Sequence, residues 1–123
     1  MIEILSIGIG GFLGANARYL LSLWCAERFG PSFPYGTLII NVSGSFVLGV
    51  IVGAADVRSV SPLFRLATGV GFLGAYTTFS TFTVETIRMI EAGSFFLALV
   101  NVVGSVAIGL AAALLGIALA RAF

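Results

Sequence analysis

The sequence predicts an all-α membrane protein of four transmembrane helices, the third of them broken near its middle. The first observation behind this is composition. Of 123 residues, 59% are hydrophobic and 9% charged, and the mean hydropathy is +1.16; average soluble domains are about 45–50% apolar and about 25% charged. The second is punctuation: four apolar segments are separated by short polar or Gly/Pro-rich linkers, and each has about the 20 residues that ~30 Å of hydrocarbon requires. The third is the stretch Gly74-Ala75-Tyr76-Thr77-Thr78-Phe79-Ser80-Thr81-Phe82-Thr83, a poor helix former inside the third segment.

Span 1 is expected over about residues 2–26. Gly10 and Gly14 form a G-x-x-x-G pair there, which lets another helix approach closely. Glu3 stands where a signal peptide would carry basic residues, so residues 2–24 are expected to be a retained span. The linker Phe29-Gly30-Pro31-Ser32-Phe33-Pro34-Tyr35-Gly36 is a strong breaker. Span 2 follows over about 37–55, with a second close-packing pair at Gly49 and Gly53.

Asp56, Arg58 and, further on, Glu91 read as solvated loop charges. Pro62 suits a first helical turn with Ser61 as its cap. Span 3, about 62–91, contains the break. Five of the seven residues from Thr77 to Thr83 carry a hydroxyl and four of those five are β-branched, so χ1 entropy and competing hydroxyl hydrogen bonds both oppose a helix. Broken backbone at membrane depth is tolerated only where protein or a water-filled cavity surrounds it, so this stretch should face the protein interior. Gly93 reads as a C′ glycine and Ser94 as the N-cap of span 4, about 94–122.

An even number of spans places both termini on one side. Arg58, Arg65 and Arg121 lie on that side; Arg18, Arg28 and Arg88 lie toward the other, three against three. The positive-inside rule therefore selects no orientation. One reading is that a single Arg decides weakly; the other is dual topology, with the chain inserting both ways to form an antiparallel homodimer. A four-helix chain of this size is too thin to enclose a pore and bury its polar groups, so a homodimer is expected.

Charge and residue types exclude several function classes. The six cations are all Arg, there are five acids and no His, and the net charge is +1, which leaves no basic patch for nucleic acid. The single Cys25 excludes an intramolecular disulfide and a thiolate metal cage. With no His, no thiolate pair and no soluble domain, an enzyme is not expected.

What remains polar is arranged in stripes. Thr37, Asn41 and Ser45 stand at i, i+4 and i+8 in span 2, and Asn101 and Ser105 at i, i+4 in span 4, with Ser94 two turns earlier; span 3 adds the hydroxyl cluster. Hydrogen-bonding glue between helices is the plain explanation, and a polar track through the protein is the alternative. Asn, Ser and Thr donate hydrogen bonds without fixed charge. Phe79 and Phe82 are ordinary core on the plain reading. Because the rim of a Phe ring is electropositive and these two stand among hydroxyls, the other reading is a lane of donors and ring edges that suits a small anion. Arg18, near the end of span 1, is either a snorkelling side chain or the charge of an anion-attracting vestibule or a structural ion pair. Glu85 and Arg88 form an i, i+3 pair read as structural. Readings from other classes are a small proton-coupled multidrug exporter, which needs a membrane-embedded carboxylate and finds only Glu3 at an edge and Glu85, and a structural subunit with no transport of its own.

Gly71-Phe72-Leu73-Gly74-Ala75-Tyr76-Thr77-Thr78-Phe79-Ser80-Thr81-Phe82, with Gly36-Thr37-Leu38-Ile39-Ile40-Asn41-Val42-Ser43-Gly44 and Gly14-Ala15-Asn16-Ala17-Arg18-Tyr19, resembles the CrcB/Fluc fluoride channel family over essentially the whole chain. The resemblance implies a dual-topology antiparallel homodimer in the cell membrane, inner or plasma, with two pores that let fluoride leave the cytoplasm. It places Phe79, Phe82 and Asn41 on the fluoride route, Thr37, Ser80, Thr81 and Ser105 along a polar track, and Arg18 in a vestibule. It further implies a central structural Na⁺ held by the backbone carbonyls of Gly74 and Thr77, in keeping with the general capacity of unwound membrane backbone to coordinate Na⁺. In the fourth helix, Ala98 and Asn101 stand where relatives often have Tyr and Ser, and Asn101 is expected to substitute as a donor.

Overall fold

The computed structural model describes all residues 1–123 and contains helices and short connections only. Helix α1 covers Ile2–Phe29, α2 Tyr35–Val57, α3 Pro62–Arg65, α4 Gly74–Tyr76, α5 Phe79–Glu91 and α6 Phe95–Ala122; a π-helical stretch, Leu66–Leu73, joins α3 to α4. Three helices, α1, α2 and α6, are each long and apolar enough to cross a membrane. The segment expected as span 3 is divided, within the stretch expected to break, into Pro62–Tyr76 and Phe79–Glu91, with Thr77 and Thr78 in extended conformation between them.

The ends of α1 and α2 fall outside the expected bounds because the linker sets them, not composition. α1 runs three residues further, to Phe29, and stops where Gly30 takes φ 72° and donates its N–H to the Ala26 carbonyl. α2 begins directly after Pro34, whose carbonyl accepts from Leu38 N–H at 3.1 Å. Trp24, Phe29, Phe33 and Tyr35 pack in successive pairs over this connection, with ring centroids 5.0–5.9 Å apart, as aromatic rings do at a membrane–water boundary. Between α5 and α6, Gly93 at φ 78° donates to Ile90 O and Ser94 N–H to Met89 O at 2.8 Å, the paired bonds of a Schellman turn. Neither Ser61 nor Ser94 caps with its hydroxyl, although each occupies the N-cap position.

Close backbone approach decides the packing. Gly10 and Gly14 of α1 press on the backbone of Ala67 and Phe72, and a Cβ on Gly71 would lie 2.6 Å from Ile7 O. The π-helical stretch is thus seated backbone to backbone on α1. On the other side, Gly49 and Gly53 of α2 meet Ala113 and Ile117 of α6, where a Cβ on Gly53 would stand 2.6 Å from Ile117 O. Small residues at such seams are what holds helices together when lipid removes the hydrophobic drive.

Two charge assignments change. Asp56 is no free loop charge: it lies in the last turn of α2 and accepts from Arg121 Nε at 3.0 Å and Nη2 at 2.5 Å, joining the ends of α2 and α6. Glu85 does not pair with Arg88; its Oε1 accepts from Thr37 Oγ1 at 3.0 Å. The i, i+3 spacing put Glu85 and Arg88 on neighbouring positions, but a buried hydroxyl from α2 reaches the carboxylate instead.

Candidate functional site

The site is built on the two extended residues. Thr78 is the N-cap of α5, its hydroxyl oxygen accepting Thr81 N–H at 3.3 Å while its proton goes to Thr81 Oγ1 at 2.9 Å. Asn41 of α2 grips the same residue by both backbone groups: Oδ1 accepts Thr78 N–H at 2.8 Å and Nδ2 donates to Thr78 O at 3.0 Å. A side-chain amide thereby stands in for a helical turn at a point where the helix has none. Thr77 Oγ1 turns back to Leu73 O at 2.9 Å.

These substitutions divert two helical donors. Thr78 N–H, four residues after Gly74, goes to Asn41; Thr81 N–H, four residues after Thr77, goes to the Thr78 hydroxyl. The carbonyls of Gly74 and Thr77 therefore lack the i+4 partner an unbroken helix would give them, and in hydrocarbon such groups need another partner. Gly74 is also on the surface of the chain. Backbone oxygens freed in this way are hard donors, the kind that unwound membrane backbone can offer to Na⁺.

Beside the break lies an open groove of about 360 Å³ between α2, the π-helical stretch, α5 and α6. Asn41, Ser45, Gly74, Thr77, Phe79, Phe82 and Ser105 all line it, and no charged side chain does. The Phe79 and Phe82 rings are 5.8 Å apart and tilted by 42°. Phe79 is 76% exposed, so the groove is open along that face of the chain. Of the groove hydroxyls, Thr77 and Thr78 have committed their protons. Ser45 has no partner, Ser105 donates only a long bond of 3.4 Å to Asn101 Oδ1, and the Asn41 amide keeps a second N–H. The groove thus presents neutral donors and ring edges.

Other expected site residues lie elsewhere. Asn101 is buried behind the groove wall, with Nδ2 on Thr86 Oγ1 at 3.0 Å and Oδ1 accepting from Ser105; it belongs to the support and not to the lining, because Thr86 on α5 captures its amide. Ala98 is buried in the same helix. Thr37 is buried against Glu85, whose Oε2 is buried without a partner. Ser80 and Thr81 are exposed on the first turn of α5. Arg18 is half-buried within α1 and makes no ion pair. Sequence reasoning set Ser45 in a stripe without making it a site residue, and passed over Thr78, Thr86 and the Ser43 hydroxyl, 2.9 Å from Tyr76 Oη. Thr78 carried a readable signal, a Thr immediately before a helical run.

Comparison with known proteins finds relatives along almost the whole chain. A family model described as CrcB-like protein, Camphor Resistance (CrcB), matches residues 5–117. The chain is 51% identical over 117 residues to a protein of Synechococcus sp. named fluoride-specific ion channel FluC, covering 94% of this chain and 90% of the relative. Proteins with the same name from Roseiflexus sp. and Sorangium cellulosum are 45% and 48% identical, over 98% and 94% of this chain and 98% and 91% of their own lengths.

Proposed function

The chain belongs to the CrcB-like family, and from that membership we propose that it is a passive, fluoride-selective channel through which fluoride leaves the cytoplasm. It is a multi-pass membrane protein and, as a member of an ion-channel family, not an enzyme. The observation that carries the reading is the groove: neutral donors from Asn41, Ser45 and Ser105 beside the rims of Phe79 and Phe82, with no charged side chain on the wall. A small, strongly hydrated anion needs donors to replace part of its water, but a fixed positive charge would hold it too tightly to release. Amide N–H, hydroxyl and ring edge meet both requirements.

The path is read as continuing beyond the groove along Ser80 and Thr81 toward Thr37, with Arg18 drawing anions to a vestibule. Two antiparallel copies would each contribute one such path. The exposed Phe79, the open groove and the even Arg count support that assembly. The carbonyls of Gly74 and Thr77, stripped of helical donors, are the groups that would hold a structural Na⁺ between the broken segments; the ion would neutralise oxygens that hydrocarbon cannot solvate. The exporter alternative finds one membrane carboxylate, Glu85, and it lies off the groove, bonded to Thr37.

Bacteria lacking their own fluoride exporters, and carrying this chain in the membrane, should keep growing in fluoride at concentrations that arrest the parent. Unchanged sensitivity with the protein present in the membrane contradicts the reading.

A further inference from the structure

Behind the groove wall, four residues are joined head to tail. Ser105 Oγ on α6 donates to Asn101 Oδ1 at 3.4 Å, Asn101 Nδ2 donates to Thr86 Oγ1 at 3.0 Å, and Thr86 Oγ1 donates to the Phe82 carbonyl at 2.8 Å. The two ends, Ser105 and Phe82, are on the groove; the two middle members, Asn101 at 2% exposed and Thr86 at 9%, are not. We propose that Asn101 and Thr86 are positioning residues for conduction, a strut that holds the turn of α5 carrying Phe82 against the turn of α6 carrying Ser105. This rests on the channel reading above.

The need for a strut follows from the break. Two extended residues separate α5 from the helix before it, so α5 does not inherit the placement of the preceding segment. Away from its N-cap, side-chain hydrogen bonds tie the body of α5 to other helices at two places, Thr37 to Glu85 and Asn101 to Thr86. The second acts at Phe82 itself, because the Thr86 hydroxyl spends its proton on the Phe82 carbonyl and keeps its lone pairs for Asn101. Donors aligned in one direction polarise one another, which stiffens such a chain beyond its separate bonds. At its far end, the long Ser105 bond leaves that hydroxyl easily turned toward an anion while Asn101 holds its place.

Fluoride efflux from liposomes, with assembly checked by size-exclusion chromatography, tests the strut. Thr86→Val leaves a buried amide N–H unpaired and should lower flux roughly tenfold, the scale of one orphaned buried donor. Thr86→Ser keeps the hydroxyl and should restore flux to within about twofold. The double variant Thr86→Val/Asn101→Leu leaves no buried amide unpaired, frees only the groove-lining Ser105 hydroxyl, and should assemble well, yet conduct no better than the single one. If the double variant conducts like wild type, the pair is only glue and the proposal is wrong.

A readout independent of flux separates this from the channel reading: 4-fluorophenylalanine incorporated in place of Phe82 and followed by fluorine NMR in the purified protein. Its resonance should shift or broaden with Thr86→Val and not with Thr86→Ser. An unmoved resonance overturns the strut even if the protein conducts, whereas a wild-type protein that moves no fluoride removes the channel reading and leaves the resonance to report the contact alone.

Discussion

Replacing Asn41 with aspartate changes two things at one position. Aspartate can still accept the Thr78 N–H, now at 2.8 Å, but its second oxygen would face the Thr78 carbonyl, at present 3.0 Å from Nδ2. It also removes the spare N–H from the groove and adds a negative charge to a wall that has none. For an anion passing at about 4 Å, like-charge repulsion amounts to about 4 kcal/mol at an effective dielectric of about 20, which is close to three orders of magnitude in local anion occupancy at about 1.36 kcal/mol per decade. Allowing for partial screening by the open groove, fluoride efflux should fall at least about a hundredfold. Protonation would restore a neutral donor facing Thr78 O, so the residual flux of the variant should rise as the pH is lowered while that of the wild type does not follow it. The assay is the initial rate of fluoride release from liposomes, on protein shown to assemble normally. Asn41→Asp that assembles and conducts within about threefold of wild type at neutral pH would remove Asn41 from the path and refute the electrostatic reasoning.

Other substitutions separate lining from scaffold. Ser45 makes no hydrogen bond and lines the groove, so Ser45→Ala should cut fluoride flux severalfold and leave the melting temperature unchanged; a melting shift without a flux change would make it structural. Gly14→Ala drives a methyl group into the Phe72 backbone and should destabilise the fold by at least about 1 kcal/mol, whereas Gly8→Ala, with nothing within 4 Å, should be neutral in the same thermal-unfolding assay. If the Gly74 and Thr77 carbonyls hold Na⁺, purifying the protein in a large organic cation should lower its melting temperature, and returning Na⁺ should reverse the loss; identical melting in both salts counts against a cation at the break.

How much of this was legible depended on sequence separation. The apolar segments, their linkers and the G-x-x-x-G seams are local patterns, and Gly10, Gly14, Gly49 and Gly53 indeed sit at close approaches. Asn41, Phe79, Phe82 and Ser105, which the family resemblance grouped, line one groove. The π-helical winding of Leu66–Leu73 had no local signature, because it is seated on α1, whose surface decides what fits there. The Glu85 carboxylate was misassigned to a neighbour one turn away; its partner, Thr37, is 48 residues distant. The Asp56–Arg121 pair spans 65 residues. Asn101 stands out as a polar residue in an apolar segment and is expected from sequence to be a pathway donor, but only the arrival of Thr86 beside it decides where its amide is spent.

The most direct test of the central claim is efflux from liposomes holding the purified wild-type chain, loaded with fluoride in one set and chloride in another, with a K⁺ ionophore to dissipate voltage. Rapid fluoride release with negligible chloride release is the predicted result. Equal release of both anions would mean that the groove conducts without the proposed selectivity, and release of neither would contradict the channel itself.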